Sequence, residues 1–234
     1  MTYWNLSIPV WEQLQKKMTW TQLDFLHNKK ILDFGSGKGI TADHFAEDNE
    51  VTAVEPNADM LKERFMAHDY IQLEGSLSVL KGLPSESFDA ILCHNVLEYA
   101  PKERPEIVQE FARLLKPDGI LSILKHNRAG RVMQMAVLLN QFDHANALLD
   151  GNCGQSAQFG AISYYEDTNI CEWAPSLTLT TTFGMRTFWD LQQNQDIQSD
   201  PAWQQNMLAL ESRVSTIPAF QEIAFFHHLL LTKK

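Results

Sequence analysis

Residues 31–39 limit the possible folds more than any other segment of the chain. A short apolar run there contains an acid, Asp33, and is followed by three glycines at alternate positions, Gly35, Gly37 and Gly39. A buried parallel strand has such a run, and glycines directly after it let the backbone turn tightly and approach a ligand without a Cβ in the way. A second apolar run at 51–54 ends in Glu55, 20 residues beyond Gly35. An acid at the tip of the second strand of a doubly wound sheet can accept hydrogen bonds from both hydroxyls of a ribose. The sequence therefore predicts a site for an adenosine-containing ligand.

The spacing of the glycines bears on which adenosine-containing ligand this is. A dinucleotide loop has the pattern G-x-G-x-x-G, in which the third glycine comes three places after the second. Here Gly39 comes only two places after Gly37. The spacing therefore counts against a dinucleotide. A nucleotide-dependent oxidoreductase stays open as an alternative, because it shares the glycine loop and the acid.

Apolar runs alternate with helical segments over the first half of the chain. Strands are predicted at 31–34, 51–54, 70–73, 88–93 and 119–125, with helices at 40–47, 58–67, 76–81 and 105–115. Strands that alternate with helices predict a parallel sheet covered by helices on both faces. The later part of the chain predicts a loop at 151–160, a strand at 177–183, a helix at 203–214 and a closing strand at 223–231. We expect one domain over residues 1–234, with a helical N-terminal lid over 1–30 that carries Trp4 and Trp11, and a substrate-side insertion over 143–170.

Composition narrows the class of protein. The 234 residues are 44% hydrophobic and 21% charged, which is typical of a globular domain. No apolar run approaches the ~20 residues that span a bilayer, and the N-terminus lacks a signal pattern, so we expect a cytoplasmic protein with no membrane partner. The net charge of −10 counts against a sequence-independent DNA or RNA binder. The three cysteines lack metal-ligand spacing, so we expect reduced thiols and no metal site.

The D-x-G-x-G-x-G frame at 33–39 resembles the first motif of the class I S-adenosylmethionine-dependent methyltransferases. Similar landmarks follow in order at 55–57, 88–93, 94–99 and 111–119. The resemblance implies an α/β fold, a Rossmann-like doubly wound sheet of seven strands that is mostly parallel, with one antiparallel strand near the edge. It also implies S-adenosyl-L-methionine as cofactor. The cofactor-binding residues that it implies are Asp33, Gly35, Ser36, Gly37, Gly39, Glu55, Pro56, Asn57, Ser76, Leu77, His94 and Asn95.

Within this frame some positions have more specific expectations. Asp33 is expected to cap the glycine loop by accepting backbone hydrogen bonds. Ser76 lies where many members of the family carry an acid that binds the adenine amino group. His94 follows the fourth predicted strand, in the crevice outside the carboxyl ends where doubly wound sheets bind ligands. Glu98 and Tyr99 line the same loop.

Short segments further along the chain resemble the CmoM/SmtA family, which methylates the carboxylate of carboxymethoxyuridine at the tRNA wobble position. They lie at 93–99, 119–123, 127–130, 140–143, 183–188 and 208–213. Under this resemblance Arg186 pairs with a substrate carboxylate through two parallel hydrogen bonds, with Asn127 and Tyr99 as further positioning candidates. The arginine with which that family holds the cofactor has no clear counterpart, and Lys16 or Lys17 are the candidates to replace it.

The sequence thus predicts a methyltransferase that acts on an oxygen nucleophile, either a tRNA wobble carboxylate or a small molecule. A methyl group on positively charged sulfur needs a nucleophile placed in line and shielded from water. A carboxylate nucleophile needs no general base, whereas a phenol generally does. Since no base is identifiable from the sequence, a non-catalytic cofactor-binding or scaffold subunit remains a further alternative.

Overall fold

The structure is a computed structural model that describes residues 8–156 and 159–234. Its strands are Lys30–Phe34 (β1), Glu50–Glu55 (β2), Ile71–Glu74 (β3), Phe88–His94 (β4), Leu115–His126 (β5), Gly154–Ser156 (β6), Gly160–Ile162 (β7), Leu177–Met185 (β8) and Phe226–Lys233 (β9). Its α-helices are Val10–Gln22 (α1), Ile40–Phe45 (α2), Ala58–Lys62 (α3), Leu77–Gly82 (α4), Arg104–Leu114 (α5), Arg128–Met133 (α6), Phe142–Leu149 (α7), Asn169–Trp173 (α8), Pro201–Val214 (α9) and Pro218–Gln221 (α10).

The central sheet has seven strands in the order β3-β2-β1-β4-β5-β9-β8. Strands β1 to β5 pair in parallel, whereas β9 is antiparallel to both of its neighbours. This confirms the predicted fold: a mostly parallel Rossmann-like sheet of seven strands with one antiparallel strand next to the edge. The strand order reverses between β1 and β4, and ligands bind outside the carboxyl ends of the strands at such a point.

The sheet is covered on both faces, which explains why its central strands β1 and β4 are mostly buried and apolar rather than alternating. In β1 every residue after Lys30 is buried. Leu32 packs in the layer that contains Phe111 of α5, while Ile31 packs in the opposite layer with Phe45 of α2. Successive residues of the strand therefore supply two separate cores, one on each face of the sheet.

The helix predicted over 58–67 is wrong beyond Lys62, where α3 ends. Tertiary hydrogen bonds replace the helical ones in the following segment. The Phe65 amide donates to the Lys38 carbonyl at 2.7 Å, and the His68 amide donates to the buried carboxylate of Asp43 at 2.7 Å. These bonds fold the segment back over the glycine loop.

The segment 151–160, predicted as a loop, contributes to a short hairpin. Strands β6 and β7 pair in antiparallel fashion, from Gly154 opposite Ile162 to Ser156 opposite Gly160. This hairpin lies outside the main sheet. Between α6 and α7 the chain forms a π-helical turn, Gln134–Leu138.

The N-terminal segment that was predicted as a lid is described from residue 8 onward, and Trp4 lies outside the described residues. Helix α1 bridges separate parts of the fold. Lys16 Nζ donates to Thr41 Oγ1 of α2 at 3.3 Å, and Gln22 Oε1 lies 2.6 Å from His228 Nδ1 of β9. Within residues 8–156 and 159–234, no helix has the length and apolar composition that crossing a bilayer requires.

Candidate functional site

The glycine loop after β1 uses its three glycines for two different purposes. All three have positive φ: 77° at Gly35, 57° at Gly37 and 74° at Gly39. A Cβ at Gly35 would lie 2.2 Å from Val96, and one at Gly39 would lie 2.1 Å from the hydroxyl of Tyr70. At Gly37 the nearest described atom to a Cβ is the sulfur of Met60, 3.7 Å away. Gly35 and Gly39 are therefore required for packing, while Gly37 keeps the loop open beside the strand ends.

Glu55 lies at the tip of β2, where the sequence places the ribose-binding acid. Its side chain is buried, and its two oxygens accept hydrogen bonds from the backbone amides of Gly37 and Asn57, both at 2.8 Å. An ionised carboxylate has about four acceptor positions, so two bonds leave room for the hydroxyls of a ribose. Asn57 caps α3 by accepting hydrogen bonds from the amides of Asp59 and Met60, and the adjoining Pro56 is exposed.

Buried polar atoms surround the loop. The carboxyl group of Asp33 accepts a hydrogen bond from the Ala42 amide of α2 rather than from the glycine loop, and burial raises its pKa to about 7. Among residues 8–156 and 159–234, no partner is found for Asp33 Oδ2, Ser36 Oγ or Asn95 Oδ1. Buried polar atoms normally have hydrogen-bond partners, so several unpartnered atoms in one place call for an explanation such as a ligand. These residues fit a ligand that carries hydrogen-bond donors at this edge of the sheet.

His94 ends β4 and takes part in a buried chain of hydrogen bonds. Its Nε2 lies 2.8 Å from Ser122 Oγ, which in turn lies 2.7 Å from His228 Nε2. Burial, with smaller contributions from the charges of His228 and Lys16, holds the pKa of His94 well below its usual value. The side chain is therefore neutral, and it can serve the site as a hydrogen-bonding group but not as a charge.

Two of the predicted cofactor residues open α4. Ser76 is the N-cap residue and is half-buried, and among the described residues its side chain makes no capping hydrogen bond. Leu77 packs its side chain into the core beside Val54 and Phe34. At this position Ser76 thus has a hydroxyl available to a ligand, whereas the side chain of Leu77 is structural.

A buried acid in the turn after β4 faces a histidine that ends β5. Glu98 is 1% exposed, and its Oε1 accepts hydrogen bonds from the His126 amide at 3.2 Å and faces His126 Nδ1 at 2.7 Å. The edge of Tyr99 packs against the His126 ring, with centroids 6.5 Å apart. Burial raises the pKa of Tyr99.

Sequence reasoning missed His126, and it singled out Arg131 only as part of a basic cluster, with Lys125 and Arg128, where an anionic partner would have to bind. The only signal for His126 was its position one residue beyond the predicted end of the fifth strand, which is the carboxyl end. Within the described residues, Arg131 Nε and the hydroxyl of Tyr164 are buried without a hydrogen-bond partner. Burial raises the pKa of Tyr164 to about 12 and lowers that of Arg131.

Arg186 and Asn127 have different partners from those expected. The guanidinium of Arg186 is buried and donates two hydrogen bonds to the Asp190 carboxylate, at 2.8 and 2.5 Å, and one to Gln15 at 3.2 Å. Its two-pronged face is therefore occupied by an acid of the same chain. The amide nitrogen of Asn127 donates to the carbonyls of Glu222 and Ala224 at 2.8 and 2.9 Å, which ties α6 to the start of β9.

Comparison with known proteins agrees with this geometry. Residues 32–123 match the family model described as "Methyltransferase domain". The ubiquinone biosynthesis O-methyltransferase of Histophilus somni is 33% identical over 127 residues, which are 50% of this chain and 53% of that protein. The protein of the same name from Pectobacterium atrosepticum is 32% identical over 123 residues, 48% and 49% of the two chains. The chain thus spans about half the length of the curated relatives it matches.

Solved structures share the fold. An S-adenosylmethionine-dependent methyltransferase from Mesorhizobium loti has a TM-score of 0.60 at 14% identity, over 94% of this chain and 100% of that one. The 1,6-didemethyltoxoflavin-N1-methyltransferase of Burkholderia thailandensis, with bound S-adenosylhomocysteine, has a TM-score of 0.55 at 13% identity, over 97% and 80% of the two chains. Residues 32–123 thus match a methyltransferase domain, and the solved structures share its fold.

Proposed function

We propose that the protein transfers a methyl group from S-adenosylmethionine to an oxygen atom of a small molecule. The observation that carries this proposal is the arrangement at the tips of β1 and β2. There Glu55 is fixed against the open position of the loop at Gly37, 2.8 Å from its amide, beside buried polar atoms that lack partners. The names of the sequence relatives, which are O-methyltransferases, support oxygen as the atom that is methylated.

The residues of the site divide the work of holding the cofactor. We assign Glu55 to the ribose hydroxyls and Ser76 to the adenine. The charge of Lys16 lowers the pKa of Asp33, which supports Lys16 as the partner of the carboxylate at the amino acid end of the cofactor. When bound, the cofactor supplies a methyl group on positively charged sulfur, and the protein has to orient the acceptor and exclude water.

A small molecule is favoured over the tRNA carboxylate as acceptor because of charge and of Arg186. The protein carries a net charge of −10, which repels an RNA backbone. The guanidinium that was expected to bind the wobble carboxylate is paired with Asp190 instead. The resemblance to the CmoM/SmtA family therefore stays a prediction, and tRNA is the competing acceptor.

Titration calorimetry with S-adenosylmethionine and S-adenosylhomocysteine tests the cofactor assignment. Losing the bonds that a buried carboxylate makes to two hydroxyls costs about 1.5 to 3 kcal/mol, so Glu55→Ala is expected to weaken binding roughly 10- to 100-fold. Glu50→Ala is the control, because Glu50 is exposed at the opposite end of β2. Wild-type protein that binds neither compound, or an unchanged affinity in the Glu55 variant, would refute the proposal.

The acceptor class is tested by incubating the protein with methyl-labelled cofactor and separated small-molecule and RNA extracts. Label is expected in the small-molecule fraction. Label in tRNA alone would favour the wobble carboxylate, and label in neither fraction would favour a non-catalytic cofactor-binding role. Tight binding of NADH in place of S-adenosylhomocysteine would favour the oxidoreductase alternative.

A further inference from the structure

His126 and Glu98 form a buried pair at the carboxyl edge of the central sheet. His126 is the last residue of β5, and Glu98 lies in the turn that follows β4. Since β4 and β5 pair in parallel, both residues lie at the carboxyl edge of the sheet, the same edge as the glycine loop. The pair and the glycine loop thus lie at the same edge of the sheet, where a doubly wound fold binds its ligands.

The geometry of the pair gives the imidazole a defined orientation. Glu98 Oε1 lies 2.7 Å from His126 Nδ1 and also accepts the His126 backbone amide at 3.2 Å. An ionised carboxylate only accepts hydrogen bonds, so it holds the hydrogen on Nδ1 and leaves the lone pair on Nε2. In the part of the chain that the structure describes, no residue hydrogen-bonds Nε2. The side chain is 12% exposed, and the rings of Phe225 and Phe226 pack at 5.8 and 4.6 Å from its centroid.

His227 provides an internal comparison. Its Nδ1 also faces a carboxylate, Asp167 Oδ2 at 2.8 Å, but its Nε2 donates to the Gln221 carbonyl at 2.9 Å. Both ring nitrogens of His227 face acceptors, so neither is available to take a proton. Among these two histidines only His126 has the arrangement of a general base: one nitrogen fixed by a buried acid and the other open.

The surroundings of the pair indicate a polar acceptor. Within residues 8–156 and 159–234, Glu98 Oε2, Arg131 Nε and the Tyr164 hydroxyl are buried without partners. The charges of Glu98 and Arg131 both act on Tyr164, so the three groups border one region. Donors and acceptors left unpaired in one place fit a ligand with polar substituents of its own.

We propose that His126 is the general base for methyl transfer, that Glu98 is its positioning residue, and that the acceptor is a phenol-type hydroxyl. This rests on the proposed function. The acceptor hydroxyl gives its proton to Nε2, and its oxygen forms the new bond to the methyl carbon. The bond from that carbon to sulfur breaks with its electron pair left on sulfur, and Glu98 stabilises the imidazolium that results.

The acceptor class follows from what such a base is needed for. A neutral phenol is a weak nucleophile until its proton is removed, and an imidazole that accepts a hydrogen bond from the phenol at Nε2 can take that proton as the methyl group is transferred. A carboxylate is already ionised and needs no base. A site with a buried, oriented imidazole is therefore matched to a phenol and has no use for that imidazole with a carboxylate.

The experiment compares wild type, His126→Gln and His227→Gln on phenols of graded acidity, from methoxyphenol through phenol to para-nitrophenol. For the weakly acidic phenols we expect His126→Gln to lose about 10²- to 10⁴-fold in kcat/KM, the range for a general base. On para-nitrophenol already ionised at the assay pH the loss is expected to fall below about tenfold. His227→Gln is expected to follow wild type across the series. Glu98→Gln is expected to lower kcat with KM unchanged, and added imidazole to restore activity to His126→Gly.

A binding measurement without turnover gives an independent readout. With S-adenosylhomocysteine present, para-nitrophenol is added at a pH where it is un-ionised in water, and its absorbance is recorded. We expect the phenolate band with wild type and His227→Gln, and its loss with His126→Gln.

The outcomes separate the two proposals. Absence of S-adenosylhomocysteine binding by wild type would overturn the proposed function itself. Cofactor binding without methylation of any phenol would leave the proposed function standing and overturn this inference. An equal loss for His126→Gln across the whole series, or the same loss for His227→Gln, would also overturn it.

Discussion

Replacing Gly39 by alanine, with Gly37→Ala as the matched control, tests how the glycine loop is built. Both residues have positive φ, so in each case an L side chain in left-handed backbone costs about 1 kcal/mol. The two sites differ in the space beside the α-carbon. A Cβ at Gly39 would lie 2.1 Å from the Tyr70 hydroxyl and 3.2 Å from the Phe65 carbonyl, whereas at Gly37 the nearest described atom is 3.7 Å away.

The difference in space sets the expected magnitudes. The Tyr70 hydroxyl donates to the Phe65 carbonyl at 2.7 Å, and moving the ring away loses that bond, about 1 kcal/mol. Displacing a buried ring costs about 1 kcal/mol or more again. We therefore expect Gly39→Ala to lower the free energy of unfolding by about 3 kcal/mol, and Gly37→Ala by about 1 kcal/mol.

Urea unfolding followed by tryptophan fluorescence measures these values, and calorimetry with S-adenosylhomocysteine measures the effect on the site. Gly37→Ala is expected to change the free energy of cofactor binding more than the free energy of unfolding. Gly39→Ala is expected to change the free energy of unfolding more than that of binding. In a Tyr70→Phe background the cost of Gly39→Ala should shrink, because the atom nearest to the new Cβ is gone. Equal destabilisation by the two glycine variants, or no coupling to Tyr70, would refute the reasoning.

Three other predictions concern buried charges. Burial raises the pKa of Asp33 to about 7, above its value in the unfolded chain. The protonated carboxyl therefore stabilises the fold below about pH 4, and about 4 kcal/mol of the free energy of unfolding is lost as the pH rises through 7. Urea unfolding should show this loss in wild type and not in Asp33→Asn. Although burial acts to raise the pKa of Asp167, its bond with His227 and a neighbouring lysine hold it at about 2. About 2 kcal/mol is therefore present above about pH 4 and lost as the pH falls toward 2, and Asp167→Asn should flatten that acid slope. Arg186→Met should cost about 3 to 5 kcal/mol in thermal unfolding by leaving Asp190 buried and unpaired, and adding Asp190→Leu should restore most of it; no recovery would contradict a buried ion pair.

The parts of the fold that were predictable from sequence depend on local signals. The apolar runs, the glycine spacing and the acid at Glu55 are each contained in a few consecutive residues, and the structure places them at adjacent strand ends. The helix at 58–67 could not be bounded in this way, because the bonds that end it come from Asp43 and Lys38 on the other side of the loop. At that point the tertiary hydrogen bonds stabilise the non-helical backbone more than the helix propensity of the residues stabilises a helix.

The acceptor side was harder to predict for the same reason. The sequence predicted that Arg186 would bind a substrate. In the structure the chain turns at Arg186, where φ is 59°, and this turn brings Asp190 against the Arg186 guanidinium. Such a turn is not visible in the sequence. His126 was missed because its pairing with Glu98 depends on where β5 ends and on the turn after β4 that carries Glu98. Roles that arise from contacts between distant segments are visible only in the folded chain.

The π-helical turn at Gln134–Leu138 joins two distant parts of the chain through its first residue. Gln134 hydrogen-bonds Arg131 of α6 and also Asp190, which follows β8. In a π-helical turn the backbone bonds link residues five positions apart instead of four, so the turn interrupts the α-helical repeat at that point. A return of this turn to α-helical bonding would rotate the Gln134 side chain and shift both contacts together, while the central sheet stays as it is.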